Sequence, residues 1–183
     1  MQVHDWQAIV KEHGSAVWQT AYRLLRNHSD AADCFQDTFL AAFEVASREP
    51  VRNVGGLLVR LATTRAIDKL RRQKRQEQRQ AALPDSQPAS NDADPLEQAQ
   101  TGDLASHLRQ AIGDLPPQEA RVFCLRYLND MSYREISHEL KIATTVVGVS
   151  LYRARAKLRA ALAPTQGRFD EVPHAKERQT TAR

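Results

Sequence analysis

The last long segment of the sequence with the apolar spacing of a helix ends in a cluster of four basic residues: Arg153, Arg155, Lys157 and Arg159. Basic side chains at this density neutralise phosphate charges and release counterions. The segment therefore favours binding to a nucleic acid. The alternative is an ordinary helix with a solvated basic face.

A second basic cluster lies earlier in the chain, at Arg65, Asp68, Lys69 and Arg72. The spacing i, i+3, i+4, i+7 places all four on one helix face. A face that mixes arginine with aspartate can hold phosphates and also offer polar groups to base edges. The alternative is a solubilising helix end whose positive charge suits the macrodipole.

An acidic and polar face is predicted on the helix before this cluster, and it carries Asp33, Gln36, Asp37 and Glu44. Phe35, Phe39 and Phe43, with Leu40, form a separate stripe that we expect to be core. DNA repels carboxylates, so the acidic face would suit a basic protein surface. The alternative is a solvated surface.

These side chains require helices to position them, and the sequence predicts an all-α fold. Apolar periodicity predicts three helices: from Trp6 to Leu25, from His28 or Ser29 onward, and over about 57–79, with a loop from Ser47 to Gly56. Four more follow, over about 104–113, from Pro116-Pro117 to Leu128, over 132–140 and over 144–162.

The last two helices are predicted to form a helix-turn-helix. Ser132 and Glu135 fit a capping box, and the turn is only Lys141-Ile142-Ala143. In that architecture the final helix enters the major groove of DNA. One small core is expected from Ile136, Leu140, Ile142, Val147, Leu151 and Leu158.

Charge and composition divide the 183-residue chain into parts. The net charge is +4 over residues 1–75, −5 over 76–103 and +4 over 104–163. We predict two small helical domains, 1–78 and 104–163, joined by an acidic flexible linker at 79–103 that is rich in Pro, Ser, Asp and Gln. Residues 164–183 are predicted to be a disordered tail.

Several function classes are excluded by what the sequence lacks. It contains no phosphate-binding glycine loop, no nucleophile elbow and no zinc-protease motif, so we expect no enzyme, no cofactor and no metal. Cys34 and Cys124 are expected to be buried thiols. No apolar run is long enough to span a membrane and no secretory signal is visible, so a cytoplasmic protein is expected.

The motifs together resemble bacterial RNA polymerase sigma factors of the two-domain extracytoplasmic-function type. Residues 21–25 (AYRLL) and 33–40 (DCFQDTFL) resemble the family's core-polymerase-binding segment, and 65–72 (RAIDKLRR) resembles its minus-ten helix. The run from Leu115-Pro116-Pro117 through 131–136 (MSYREI) to 152–159 (YRARAKLR) resembles its minus-thirty-five domain.

This resemblance implies the partners and the roles of residues. Asp33, Gln36 and Asp37 would dock on the clamp coiled coil of core RNA polymerase. The minus-ten duplex edge would be met by Arg65, Asp68, Lys69 and Arg72, and the 48–56 loop would hold a flipped base. The minus-thirty-five element would be read by Thr144, Thr145, Ser150, Arg153 and Arg155. An anti-sigma protein is a further implied partner.

Three departures from the family pattern accompany the resemblance. Gly56 stands where an aromatic residue is common, so base stacking on an aromatic in the 48–56 loop is not available. Lys141 replaces a turn glycine and would cost about 1 kcal/mol in a left-handed conformation. Gly148 and Ser150 replace a lysine and an arginine, which removes phosphate contacts.

The sequence thus predicts a sigma factor that directs promoter recognition and transcription initiation. The competing hypothesis is a helix-turn-helix regulator that binds DNA without polymerase. A third hypothesis, less favoured, is a sequestering adaptor that binds a protein but not DNA.

Overall fold

The computed structural model describes residues 5–81 and 102–166. Within these ranges the chain is all-α and forms seven helices: α1 Trp6–Leu25, α2 His28–Arg48, α3 Val54–Ala81, α4 Gly102–Asp114, α5 Pro117–Tyr127, α6 Tyr133–Leu140 and α7 Thr144–Gln166. We call α1–α3 the N-terminal module and α4–α7 the C-terminal module.

Polar caps at several helix starts explain where the elements begin. The Asp5 carboxylate accepts hydrogen bonds from the backbone N–H groups of the first turn of α1, and the Asn27 side chain does the same for α2. These bonds satisfy donors that have no partner inside the helix. Proline at the first position of α5 needs no such partner.

The third helix begins earlier than its sequence predicts. Gly55 and Gly56 suggested a loop as far as residue 56, but both lie in the first turn of α3. Asn53 explains this difference, because its side-chain oxygen accepts a hydrogen bond from the Gly56 N–H at 2.9 Å. The cap starts the helix and offsets the poor helix propensity of the two glycines.

Two predicted segments fall mostly outside the described residues. The 79–103 linker was expected to be flexible, but α3 continues to Ala81 and α4 starts at Gly102. Residues 82–101 lie outside the description. The predicted tail begins at residue 164, whereas α7 continues to Gln166. Residues 167–183 also lie outside the description.

The core of the N-terminal module lies between its three helices. Val17, Ala42, Leu57, Leu58 and Ala62 are buried there, and Phe35 and Phe39 pack against them. The phenylalanine stripe on α2 is only partly core, however. Leu40 and Phe43 are largely exposed, which corrects the expectation for these two residues, and the Phe43 ring meets Trp6 edge-on.

The helix-turn-helix has the predicted small core with one exception. Ile136, Val147 and Leu151 are buried together, with Leu140 and Ile142 packed against them. Leu158 lies instead in a different cluster, because α7 is long enough to carry it beyond the helix-turn-helix. The Lys141 turn residue is left-handed, with φ 53° and ψ 45°.

A third cluster is shared by the two modules. Buried residues from α1, α2 and α3 meet buried residues from α4, α5, α7 and the turn between α4 and α5 in one apolar core: Ala21, Leu24, Leu25, Ala31, Cys34, Ala66, Ile67, Ala111, Ile112, Leu115, Ala120, Cys124, Ala154 and Leu158. The modules are therefore packed face to face, and α3 contacts three helices of the C-terminal module.

Candidate nucleic-acid and protein interfaces

The predicted acidic face lies on the surface of α2. Gln36 and Asp37 are exposed, and the Asp33 side chain is 65% exposed. Helical spacing places these three residues on a side of α2 that points away from the buried Cys34 and Thr38. The surface is available to a partner even while the two modules are packed together.

Lys69 links this acidic face to the basic cluster on α3. Its ammonium group lies 2.7 Å from Asp30 and 3.1 Å from Asp33, and the side chain is 26% exposed. Burial opposes the charge on Lys69, but the hydrogen bonds and ion pairs to both aspartates outweigh it and raise the pKa of the ammonium. Lys69 is thus engaged within the protein.

The other residues of the α3 cluster differ in accessibility. Arg72 and Asp68 are exposed, whereas Arg65 is half-buried. Two neighbouring basic residues of the same helix hold the C-terminal module: Arg71 donates to the carbonyl oxygens of Gly113 and Leu115 at 3.1 and 2.6 Å, and Lys74 bonds Asp114 at 2.5 Å. Cations here suit the negative end of α4.

A carboxylate from the C-terminal module contacts the end of the 48–56 segment, whose residues 48–50, 52 and 53 are exposed. The Glu139 side chain is only 8% exposed and accepts a hydrogen bond from Asn53 Nδ2 at 3.1 Å. Its other oxygen lies 3.7 Å from Arg60 Nε. A Cβ added at Gly56 would overlap Glu139, with the carboxyl carbon only 2.8 Å away. Gly56 therefore leaves the space that this carboxylate fills.

The helix-turn-helix presents most of its predicted residues to solvent. Thr144, Thr145, Arg153 and Arg155 are exposed along α7. Ser150 differs, because it is 5% exposed and its hydroxyl accepts a hydrogen bond from Gln118 at 3.1 Å. In this arrangement Ser150 joins α7 to α5 and does not lie on the exposed face.

One basic residue of the α7 group is also held internally. Lys157 bonds both oxygens of the buried Glu119, at 3.0 and 2.9 Å. The ion pair ties α7 to the start of α5. Arg153, Arg155 and Arg159 are exposed as well, and Lys157 keeps half of its side chain exposed despite this ion pair.

Sequence reasoning missed the residues that join the modules. Besides Asn53, Arg60 and Glu139, these include Thr20, which donates to Asn129 at 2.6 Å, and Arg23, which donates to the Leu128 carbonyl at 2.7 Å. Asn53 had a detectable signal, as an asparagine at a helix start. The others are polar residues on helix surfaces, and nothing in their spacing indicates a distant partner.

Both cysteines are buried thiols, as predicted. Burial raises the pKa of Cys124 to about 12, and burial also raises the pKa of Cys34 despite its hydrogen bond with Thr38. Within residues 5–81 and 102–166, no cluster of three His, Cys, Asp or Glu side chains is arranged to hold a metal ion. No helix in these ranges has both the length and the apolar character to cross a membrane.

Comparison with known protein families places both modules in one family. Residues 9–76 match the model of sigma-70 region 2, and residues 107–158 match the model of sigma-70 region 4. The two matches occur in this order, one in each module. The chain belongs to the sigma-70 family.

Curated relatives of this sigma factor are extracytoplasmic-function members. It is 32% identical to the ECF RNA polymerase sigma factor SigE of Mycolicibacterium smegmatis over 162 residues, which are 87% of this chain and 62% of that protein. It is 28% identical to the ECF sigma factor SigW of Bacillus subtilis, covering 84% of this chain and 87% of that protein. These matches favour the sigma factor over a polymerase-independent regulator.

Solved structures share the fold. The sigma factor RpoE of Bartonella quintana, solved with the anti-sigma factor NepR, has a TM-score of 0.55 and 22% identity, covering 88% of this chain and 98% of that one. CnrH, solved with the cytosolic domain of CnrY, has a TM-score of 0.56 and 25% identity, covering 87% of this chain and 88% of that one. The helical two-module layout is therefore that of sigma factors.

Proposed function

We propose that this sigma factor docks on core RNA polymerase through Asp33, Gln36 and Asp37 and so directs the enzyme to promoters. The observation that carries this proposal is the exposure of these residues on α2, where an acidic surface can meet a basic protein surface but not DNA. RNA synthesis then belongs to polymerase, and this chain contributes no catalysis of its own. The proposal also places the chain in the cytoplasm with that enzyme.

The minus-ten contacts are assigned to α3. Exposed Arg72 and half-buried Arg65 supply phosphate contacts, and exposed Asp68 offers oxygen atoms to base amino groups. We call the face-to-face packing of the two modules the closed arrangement. In it Lys69 has a different role, since it fixes Asp30 and Asp33. Lys69 can contact DNA only after its ion pairs with Asp30 and Asp33 break. Its role in this arrangement is therefore to orient Asp33 towards polymerase.

The minus-thirty-five contacts are assigned to α7. Thr144 and Thr145 lie exposed at the start of the helix, where recognition helices contact base edges, and Arg153 and Arg155 are placed to contact phosphates. Buried Ser150 supports this surface through its bond with Gln118. Because Gly148 and Ser150 stand where the family commonly has a lysine and an arginine, α7 offers fewer phosphate contacts, and its binding to DNA should depend less steeply on salt concentration.

The closed arrangement must open before both DNA elements are bound. Glu139 occupies the place beside Asn53, Gly56 and Arg60 where the 48–56 segment would receive a base. A carboxylate there also neutralises Arg60, which would otherwise be free for a phosphate. Polymerase binding to the exposed α2 face is possible in the closed state, and base capture requires that Glu139 leaves.

An anti-sigma protein is a second partner under this proposal. CnrH, the neighbour at 25% identity, was solved with the cytosolic domain of CnrY. Here Leu40 and Phe43 are exposed on α2 close in sequence to Asp37, so a protein that covers them would also hide the acidic face. Such a partner would compete with polymerase.

The test is co-purification with core RNA polymerase. Asp37→Arg reverses the charge of an exposed residue, so it should abolish co-purification and leave the thermal unfolding midpoint unchanged. Glu12→Arg is the matched control on α1, since this glutamate side chain is 75% exposed. Unchanged recovery of polymerase with Asp37→Arg would refute the assigned role.

Promoter binding by the free chain tests the competing regulator hypothesis. Labelled promoter duplex is mixed with the chain alone and with the chain plus core polymerase. Specific binding should require polymerase, because in the free protein Glu139 lies against Asn53 and Gly56 at the end of the 48–56 segment. Tight, sequence-specific binding by the chain alone would overturn the proposal.

A further inference from the structure

The first turns of α7 carry an exposed apolar surface and no charge. No charged residue occurs between Lys141 and Arg153, yet Val149 is 49% exposed and Tyr152 is 76% exposed. Val146 is also exposed, and Tyr133 from α6 lies against the same part of the helix, 3.8 Å from a Cβ built on Gly148. Single exposed apolar residues are ordinary, but a group at one helix start indicates a contact surface.

The geometry of α7 places this surface at the centre of its exposed side. Val147, Leu151, Ala154 and Leu158 define the buried side. By helical spacing, Thr145, Val149 and Tyr152 share the opposite side, whereas Arg153 and Arg155 lie on its two flanks. An uncharged strip with one cation on each flank complements a DNA groove, whose floor carries base edges and whose rims carry phosphates.

The chemistry of the major groove restricts what such a strip can read. Guanine, adenine and cytosine present only hydrogen-bonding groups there, which valine cannot match. Thymine alone adds an apolar group, its C5-methyl. Burying that methyl against valine removes apolar surface from water on both sides of the contact.

We infer that Val149, with Val146 beside it, reads thymine methyl groups in the promoter, so that this sigma factor selects a minus-thirty-five element by apolar contact. The inference deepens the proposed function and rests on it, because it requires that α7 lies in the major groove. Val149 and Val146 are then specificity-determining residues. Arg153 and Arg155 supply affinity that depends little on sequence.

The first experiment uses the holoenzyme, formed from the full chain and core polymerase. A promoter duplex that it transcribes is randomised over the minus-thirty-five segment, and the bound fraction is sequenced. We expect thymine to be enriched on one strand at two or more positions. Deoxyuridine, which lacks the methyl, is then placed at each of them and should weaken binding about fourfold per methyl, the fold-change that matches one buried CH₂ group.

The second experiment tests the residues with matched variants. Val149→Ala should reduce the difference between thymine and deoxyuridine at one position, because it removes two methyl groups from the contact. Val10→Ala, on an exposed valine of α1, should keep it. Arg153→Ala should weaken binding to the thymine and deoxyuridine duplexes equally. Melting curves check that each variant is folded.

The outcomes separate this inference from the proposed function. Enrichment of a sequence without thymine, or equal binding of thymine and deoxyuridine duplexes by the unmodified chain, overturns methyl reading while leaving the sigma factor role intact. A holoenzyme that shows no preference at all in this segment, and no loss of binding with Arg153→Ala, contradicts the assignment of α7 to the minus-thirty-five element and with it the inference.

Discussion

Lys141 has a left-handed backbone conformation, which residues with a Cβ rarely adopt. Its φ is 53°, and the bend lets the Ile142 N–H donate to the Ser137 carbonyl at 3.1 Å, which closes the end of α6. Glycine adopts this conformation without steric cost. We expect Lys141→Gly to raise the free energy of unfolding by about 1 kcal/mol, as measured by urea denaturation.

A glycine substitution within α6 gives the control. Arg134 is exposed in the first turn, so Arg134→Gly should lower the free energy of unfolding by up to about 1 kcal/mol through lost helix propensity. A loss of stability with Lys141→Gly as well would mean that the lysine side chain contributes more at this turn than the strain costs.

Exposure of single residues could be predicted where one helix decides it. Asp33, Gln36 and Asp37 lie on the surface as the spacing of α2 predicts. Ser150 and Lys69 could not be predicted in this way, because their partners Gln118 and Asp30 come from other helices. A side chain with a distant polar partner leaves no periodic signal in the sequence.

The capping box of α6 shows how an element is specified locally. The Ser132 hydroxyl accepts a hydrogen bond from the Glu135 N–H at 3.3 Å, and the Glu135 carboxylate accepts one from the Ser132 N–H at 2.7 Å. The bonds from Ser132 lower the pKa of Glu135. Ser132→Ala should reduce the free energy of unfolding by about 1 kcal/mol at neutral pH.

The contribution of the Glu135 carboxylate to the capping box depends on pH in the direction that its pKa shift gives. A carboxylate with a lowered pKa in the folded state contributes stability above its unfolded pKa and loses it as the pH falls through the folded value. The destabilisation caused by Glu135→Ala should therefore shrink in acid, whereas the bond from the Glu135 N–H to the Ser132 hydroxyl does not titrate. Ser29→Ala, at an exposed serine in the first turn of α2, is the control and should show no such pH dependence. A constant penalty down to acid pH would contradict the capping-box assignment.

Helix existence was predictable from the sequence, whereas the start of α3 was not. The capping box at Ser132 and the proline at the start of α5 mark those starts correctly. Two adjacent glycines indicated a loop before α3, but Asn53 starts the helix three residues ahead of Gly56. The Asn53 cap outweighs the poor helix propensity of the two glycines, because it gives a partner to a backbone N–H of the first turn that has none inside the helix.

The face-to-face packing of the modules depends on small residues. Ala21 and Ala66 of the N-terminal module and Ala120 and Ala154 of the C-terminal module are fully buried in the shared cluster. Alanine occurs equally well on a helix surface, so helical spacing, which included Ala21 in the apolar pattern of the first helix, did not indicate that these positions form a core shared by two modules. Separate modules were predicted because the acidic linker composition was visible and the alanine faces were not.

One polar contact between the modules, the pair of Arg60 and Glu139, is incompletely hydrogen-bonded. Arg60 Nε is buried and lies too far from Glu139 to form a hydrogen bond, and no other partner is found for it among the described residues. A cavity of about 350 Å³ also remains at this boundary, lined by Thr20, Arg23 and Gly56 among others. An ion pair that lacks full hydrogen bonding barely offsets its desolvation cost. The Arg60–Glu139 pair therefore adds little to the packing of the modules, which rests on the shared apolar cluster and on bonds such as those of Arg71 and Lys74.

Reversing the charge of Glu139 tests this balance. Glu139→Arg places two cations together beside Asn53, which should favour opening by about 2 kcal/mol, or roughly 30-fold, given that Arg60 is partly solvated. Small-angle X-ray scattering should report a larger radius of gyration, and the opened variant should bind promoter more tightly as holoenzyme.

Glu44→Arg, which reverses the charge of an exposed residue on α2, is the control and should leave the radius of gyration unchanged. Adding Arg60→Glu to Glu139→Arg restores opposite charges and should restore the compact form. A radius that stays constant in all three variants would mean that the apolar cluster and the remaining polar bonds, such as those of Arg71 and Lys74, hold the modules together, and that Glu139 does not control access to the 48–56 segment.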